Sequence, residues 1–310
     1  MKYIYLDQNK WILLSKGWYE GTGEAYDLVC ELKKKIENEE IMIVVSLINL
    51  KETLKRMDEG SRNRLLEVIF ELSRGHTISP FRDWVIDDEV ENLFLEKLGK
   101  RINIQSKVIQ RGVSGIVGME ASLKGDFPDE VRAEMIDKVN SLETLKIVFL
   151  TPESIARAKE ESDYMKNLTP KFEEARRKER SQKNKKTQFE IVLKNFFREF
   201  ILERGIRFFI KYHFSIFRED MSLHDLEDLM KKLPATYTYF SLEDRRSRDL
   251  ARKIKPNDLN DLMSFTMAIG YCDIIFGENM FVDLAKKSKL NKLYSKIITS
   301  SLEEFKKSIF

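Results

Sequence analysis

Tyr3-Ile-Tyr-Leu-Asp-Gln-Asn9 and Ile41-Met-Ile-Val-Val45 decide the fold class of this chain. Both open with short β-branched or aromatic runs that are uniformly apolar. Such runs fit strands buried on both faces of a parallel sheet rather than an amphipathic helix. Between them Ala25, Leu28, Val29, Leu32 and Ile36 recur at helical spacing among Glu and Lys, so the segment reads as strand, helix, strand. The alternation returns near the other end, with a helix expected over 258–271, a strand over 274–276, a helix over 280–287 and a strand over 296–299. The two terminal segments are therefore expected to build one α/β fold with a central, mainly parallel sheet flanked by helices. From 85 to 250 the apolar residues follow helical periods, as in the phenylalanine- and isoleucine-rich stretch 189–217, and strand patterns are scarce. The expected organisation is residues 1–84 and 251–310 as two parts of one domain, with 85–250 as a large, mostly helical insertion.

The 310 residues suffice for a sizeable core. With 54 Lys+Arg against 51 Asp+Glu the net charge is +3, so the overall balance does not announce a nucleic-acid binder and local charge must carry that argument. Two distant cysteines, Cys30 and Cys272, form neither a disulfide framework nor a zinc site, and both are expected in the core. No secretory leader is read at the N-terminus, and no apolar run approaches the roughly 18 residues of a membrane span. A cytoplasmic protein without a membrane partner is the expectation. The glycine-rich run 112–118 (GVSGIVG) lacks the Lys-Ser/Thr of a phosphate loop.

The chemistry-bearing residues are acids. Asp7 directly follows the first strand, where parallel sheets place ligand-binding groups. Glu52 lies about two helical turns past the second strand. Asp258 and Asp261, in Asn257-Asp-Leu-Asn-Asp-Leu262, share one face of a helix's first turn, where capping and the helix dipole also favour acids. Asp273 enters the strand over 274–276 and Glu278 leaves it. Carboxylates brought together repel unless a cation neutralises them, and hard cations such as Mg2+ or Mn2+ take oxygen ligands. Such a site hydrolyses phosphodiesters without histidine, of which the chain has 3.

In this order the residues resemble the PIN-domain superfamily of metal-dependent ribonucleases. Leu6-Asp-Gln-Asn9 is similar to its first motif, Leu50-Lys-Glu-Thr53 to its second and Asp261-Leu-Met-Ser-Phe-Thr-Met-Ala268 to its third. Ile274-Ile-Phe-Gly-Glu-Asn-Met-Phe281 is similar to the fourth, where an apolar strand runs into Thr-x-Asp and then an aromatic. If Gly277 takes the threonine position, Asn279 replaces Glu278 as the fourth match; Glu278 is preferred because Phe281 then falls at the aromatic position and a carboxylate is kept. The resemblance covers about residues 1–60 and 255–310. It implies a PIN-like fold and a Mg2+- or Mn2+-dependent endoribonuclease acting on single-stranded or structured RNA. It also implies roles as a toxin or phage-defence effector, with a second copy or an antitoxin or defence protein as companion. Asp7, Asp261 and Glu278 are expected to hold metal, with Glu52 as a further ligand or the orienter of the attacking water. Asp258 is expected as a helper or cap and Asp273 as an outer member of the same metal site.

Two basic stretches are candidate phosphate contacts. Arg245, Arg248 and Arg252 recur at helical spacing just before the acidic helix, with Lys255 beyond them. The second is the nearly apolar-free run 175–186. Two rival readings compete: a metal-independent HEPN-like ribonuclease using the Arg-x5-His pair Arg218 and His224 on a helical segment, and a non-catalytic PIN-like scaffold binding RNA or protein.

Overall fold

The computed structural model describes residues 1–117, 128–180, 185–218 and 220–310. β1 (Lys2–Leu6) leads into α1 (Gln8–Glu20) and α2 (Glu24–Glu37), β2 (Ile41–Ser46) into α3 (Leu47–Leu54) and α4 (Glu59–Ser73), and β3 (His76–Ile78) into α5 (Asp83–Lys97). Next come α6 (Ile104–Val108), β4 (Ile109–Arg111), α7 (Gly112–Val117), α8 (Asp129–Val139), α9 (Leu142–Phe149) and α10 (Pro152–Arg180). They are followed by α11 (Lys185–Phe196), a π-helical turn at Phe197–Leu202, α12 (Glu203–Tyr212), α13 (Leu223–Met230) and α14 (Pro234–Arg248). The chain ends with α15 (Asp258–Tyr271), β5 (Ile274–Phe276), α16 (Asn279–Lys287), α17 (Leu290–Leu293), β6 (Ile297–Thr299) and α18 (Leu302–Ile309).

Among the described residues the strands form one sheet in the order β4-β3-β2-β1-β5-β6. Neighbours are parallel except β3 and β4. The centre of the sheet joins the two ends of the sequence, with Ile4 opposite Ile274 and Leu6 opposite Phe276. Strand alternation divides the core into two layers. Ile4, Leu6, Ile43, Val45 and Phe276 pack under α1, α2, α4 and α18, whereas Tyr5, Val44 and Ile275 pack under α5, α14, α15 and α16. Helices from the middle of the chain thus close one face of the sheet that the termini build.

Several local readings change. β1 and β2 are joined by two helices, because Trp11 and Leu14 bury one face of Gln8–Glu20 as well. β3 and β4 were not expected. Each has three residues, too few to show a strand period. Cys30 is exposed while Cys272 is buried, since α2 turns Leu28, Val29, Leu32 and Ile36 inward and residue 30 away. Gly112 opens α7 at φ 70°, and a Cβ there would stand 2.3 Å from the Asn140 carbonyl oxygen, so close packing accounts for that glycine. Gly118 and residues 181–184 of the basic run lie outside the described residues. No described helix is long and apolar enough to cross a membrane.

Candidate active site

β1 ends at Leu6, and the Asp7 backbone N–H still donates to the Phe276 carbonyl at 3.0 Å, so Asp7 emerges at the carboxyl end of the sheet beside β5. Its side chain caps α1, with Oδ1 accepting from Gln8 N at 2.8 Å. Oδ2 accepts from the Glu278 backbone N–H at 3.2 Å. Glu278 follows β5 by two residues, as the N-cap of α16. Gly277 between them is tightly enclosed: a Cβ there would lie 2.2 Å from the Phe265 ring. On the other side of β1, Ser46 ends β2 and starts α3 through a capping box with Asn49. Glu52 falls in the second turn of α3, and its Oε1 accepts from Asn257 Nδ2 at 2.9 Å. α15 precedes β5 and packs on the sheet, so its first turn, carrying Asp258 and Asp261, lies at the same carboxyl end.

Asp7, Glu52, Asp258, Asp261 and Glu278 line one cleft of about 460 Å³ together with Gln8, Asn9, Ile12, Asn257 and the cations Lys55, Arg56, Arg252 and Lys255. The cleft sits at the switch between β1, whose next neighbour in sequence lies to one side, and β5, which lies to the other. This is where open parallel sheets leave a ligand crevice. Electrostatics couples Asp7, Glu52, Asp261 and Glu278. Burial, then the Glu278 charge, pushes Asp7 up to about 6 against the hydrogen bonds from Gln8 and Glu278. Burial, then Asp7, pushes Glu52 up to about 7. Asp261 rises to about 9 through burial and then the charges of Glu52, Asp7, Glu278 and Asp258. The charges of Lys10 and Lys55 act in the opposite sense on Asp7 and Glu52, respectively.

Two expected residues stand apart from the coupled acids, one by its partners and one by its place. Asp258 is 2% exposed and already neutralised: Arg252 donates to both its oxygens at 3.1 and 3.0 Å, and the Lys255 backbone N–H adds a bond of 3.0 Å. It lines the cleft and anchors the loop before α15, as a helper or cap would, but with its charge taken up by Arg252 it is not free to hold a metal as the other acids are. Asp273 is at the opposite end of the sheet, because the helix rise between residues 261 and 273 amounts to about 18 Å. There it accepts from Tyr3 N at 2.8 Å and faces Lys296 at 3.7 Å. The expectation that Asp273 belongs to the metal site, even as an outer member, is corrected: it is not in the cleft lining. Asn279 is exposed and outside the cleft lining, whereas Glu278 is in it.

The basic row also divides. α14 stops at Arg248, so Arg252 lies in the following loop and does not continue a helical face. Arg245 donates to the Lys287 carbonyl at 3.0 Å and Arg248 pairs with Asp244 at 2.5 Å, both away from the cleft, while Arg252 and Lys255 line it. Arg218 is in the loop before α13, near Asp220 and Asp225, and His224 is an exposed residue of α13 beside Asp228. The two do not share a helix.

Several residues here were not singled out in the sequence, although Gln8 and Asn257 sit within or beside the acidic motifs. Gln8 is buried, donates from Nε2 to Thr53 Oγ1 at 2.9 Å, and its Oε1 has no hydrogen-bond partner among the described residues. Lys10 donates to the Ser300 carbonyl at 2.8 Å with its ammonium 4.2 Å from the centre of the Phe276 ring. Asn257, Lys55 and Arg56 are ordinary surface residue types whose role comes from position alone.

Comparison with known proteins found no match: no family model, no curated protein and no solved structure aligns with this chain. The PIN resemblance therefore rests on its four motifs.

All the carboxylates and the Gln8 carbonyl are hard oxygen donors without histidine or cysteine among them, a set chemically suited to Mg2+ or Mn2+. Among the described residues no group of three or more His, Cys, Asp or Glu side chains is placed so as to hold a metal ion. Direct ligation would therefore require the Glu52, Asp261 or Glu278 side chains to turn further toward Asp7.

Proposed function

We propose that the chain is a Mg2+- or Mn2+-dependent nuclease of PIN type that hydrolyses RNA phosphodiesters. The observation that carries this reading is the convergence of Asp7, Glu52, Asp261 and Glu278 from four separate elements into one cleft, where the charges of Asp7, Glu52 and Glu278 all raise the proton affinity of Asp261. Stability alone offers no reason for such a group, because mutually repelling carboxylates that are half desolvated cost free energy. Helices between residues 85 and 250 are then an insertion into a PIN-like frame, which accounts for motifs confined to the two ends.

In this reading Asp7, Asp261 and Glu278 hold the cation. A bound cation supplies an acidified water and neutralises charge at the scissile phosphate. Glu52 has one oxygen occupied by Asn257, leaving Oε2 to orient the attacking water and take its proton; a group raised to about 7 suits that exchange near neutral pH. Lys55, Arg56 and Lys255 on the rim pair with backbone phosphates.

The test is cleavage of mixed RNA by purified protein with Mg2+, Mn2+ or EDTA, beside Asp7→Asn, Asp261→Asn and His224→Ala. Metal-dependent cleavage lost in both aspartate variants and kept in His224→Ala supports the proposal. Cleavage that persists in EDTA and in both aspartate variants overturns it, and no cleavage of any RNA favours a scaffold.

A further inference from the structure

Beside the acidic cleft lies a second cavity of about 260 Å³, and Lys255 lines both. Its walls come from α10, α14, the loop before α15 and α15 itself. They are mostly apolar and aromatic, with Phe172, Tyr239, Pro256 and Leu259 among them. Tyr239 is held in place by stacking on Phe81 at 5.1 Å, whereas Phe172 is 45% exposed although it is large and apolar. Arg246 completes the wall. Its Nε and Nη1 are buried and have no hydrogen-bond partner among the described residues, and burial lowers its proton affinity despite Asp258 and Glu243 nearby. A desolvated guanidinium with unused donors is costly unless a ligand accepts from it.

The loop that joins the two cavities is fixed rather than loose. Arg176 of α10 donates to the carbonyls of Asp249 at 3.0 Å and Arg252 at 2.7 Å, and Glu173 accepts from Ile254 N at 2.9 Å. The lysine between the cavities thus has a backbone held at a set distance from both.

We infer that this cavity is a nucleobase subsite: it takes one unstacked base of a single-stranded RNA whose adjoining phosphate lies on Lys255 and whose next phosphodiester enters the acidic cleft. The inference rests on the nuclease reading for the identity of the strand. A flat, partly polar ring matches the space better than a drug-sized ligand, for which pockets of about 300 Å³ and above are usual. Phe172 offers the base a face, and Arg246 donates to its carbonyl or ring-nitrogen edge. An RNA duplex, with its bases stacked and paired, cannot enter, so the site selects single strands, loops or bulges.

The test is fluorescence anisotropy in EDTA, where cleavage of the bound strand is not required. The probes are a labelled octa-adenylate, the same strand with abasic positions throughout, and its duplex with octa-uridylate. Wild-type protein is compared with Phe172→Ala, an exposed position whose loss leaves the core intact, and with Arg246→Met. The expected result is about tenfold weaker binding of the abasic strand and of the duplex, and a similar loss for the intact strand in both variants. Equal affinity for intact and abasic strands, no effect of Phe172→Ala, or no binding of any probe overturns the subsite. Metal-dependent cleavage, lost in Asp7→Asn, reports separately on the nuclease reading, so either can fail while the other stands.

Discussion

Asp261 carries the largest consequence of the crowded acids. Its carboxyl is raised to about 9, Glu52 to about 7 and Asp7 to about 6, against about 4 for a carboxyl in the unfolded chain. Between those values the folded protein binds more protons than the unfolded one, so its stability falls as pH rises. The contribution is fully present below about pH 4 and is lost through pH 6, 7 and 9 in turn. Thermal melting in EDTA should therefore show Asp261→Asn gaining on wild type from pH 5 to pH 9, with Mn2+ narrowing the gap; parallel pH profiles would count against the assignment. Neutralising Asp7 or Asp261 should lower RNA cleavage on the order of a thousandfold while leaving the circular dichroism spectrum unchanged. Arg252 behaves differently, because it neutralises the buried Asp258. Arg252→Met should destabilise by about 2 kcal/mol or more in urea titrations, and adding Asp258→Asn should restore much of it. Additive losses in the double variant would show that the pair is not what anchors the loop.

Among the helices, α5, α14 and α15 are joined by one carboxylate. Leu233 gives α14 no side-chain cap. Instead Glu89 of α5, 2% exposed, accepts from Ala235 N at 2.7 Å, Thr236 N at 3.0 Å, Thr236 Oγ1 at 2.6 Å and the Tyr271 hydroxyl at 2.7 Å. The positive end of α14 is thus capped from another helix, and the helix that closes the sheet is tied to the one that carries Asp261. Each oxygen faces one backbone N–H, which can only donate. Glu89→Gln should therefore cost about as much as Glu89→Ala, roughly 3 kcal/mol, because in either orientation the amide would press its N–H2 against a backbone N–H. A urea midpoint for Glu89→Gln close to wild type would remove this account.

For the molecule as a whole, β1 is the central constraint, since it pairs with β2 on one side and with β5, more than 260 residues later, on the other. Ending the chain at residue 250 would strip β5, Phe265 and Phe281 from the core and leave β1 as an exposed edge next to the acidic cleft. Residues 1–250 are therefore expected to be insoluble or to lack a cooperative melting transition. Soluble expression with a sharp transition would show that the N-terminal segment folds without its partner.

β1, β2, β5 and α15 were legible in the sequence, as were the positions of Asp7 and Glu278 relative to the sheet. A buried strand announces itself by an apolar run, and the residue that ends such a run must emerge at the sheet's edge. The three-residue β3 and β4 carry no period of their own and exist because β2 offers an edge to β3 and β3 to β4. Likewise, nothing local shows that Asp258 is neutralised by Arg252, that α14 halts before that arginine, or that Asp273 faces Lys296 at the far end of the sheet. Residue type and spacing determined which groups could do chemistry. Only the tertiary structure decided which of them meet, because a carboxylate's partners are set by contacts between segments distant in the chain, and those leave no period to read.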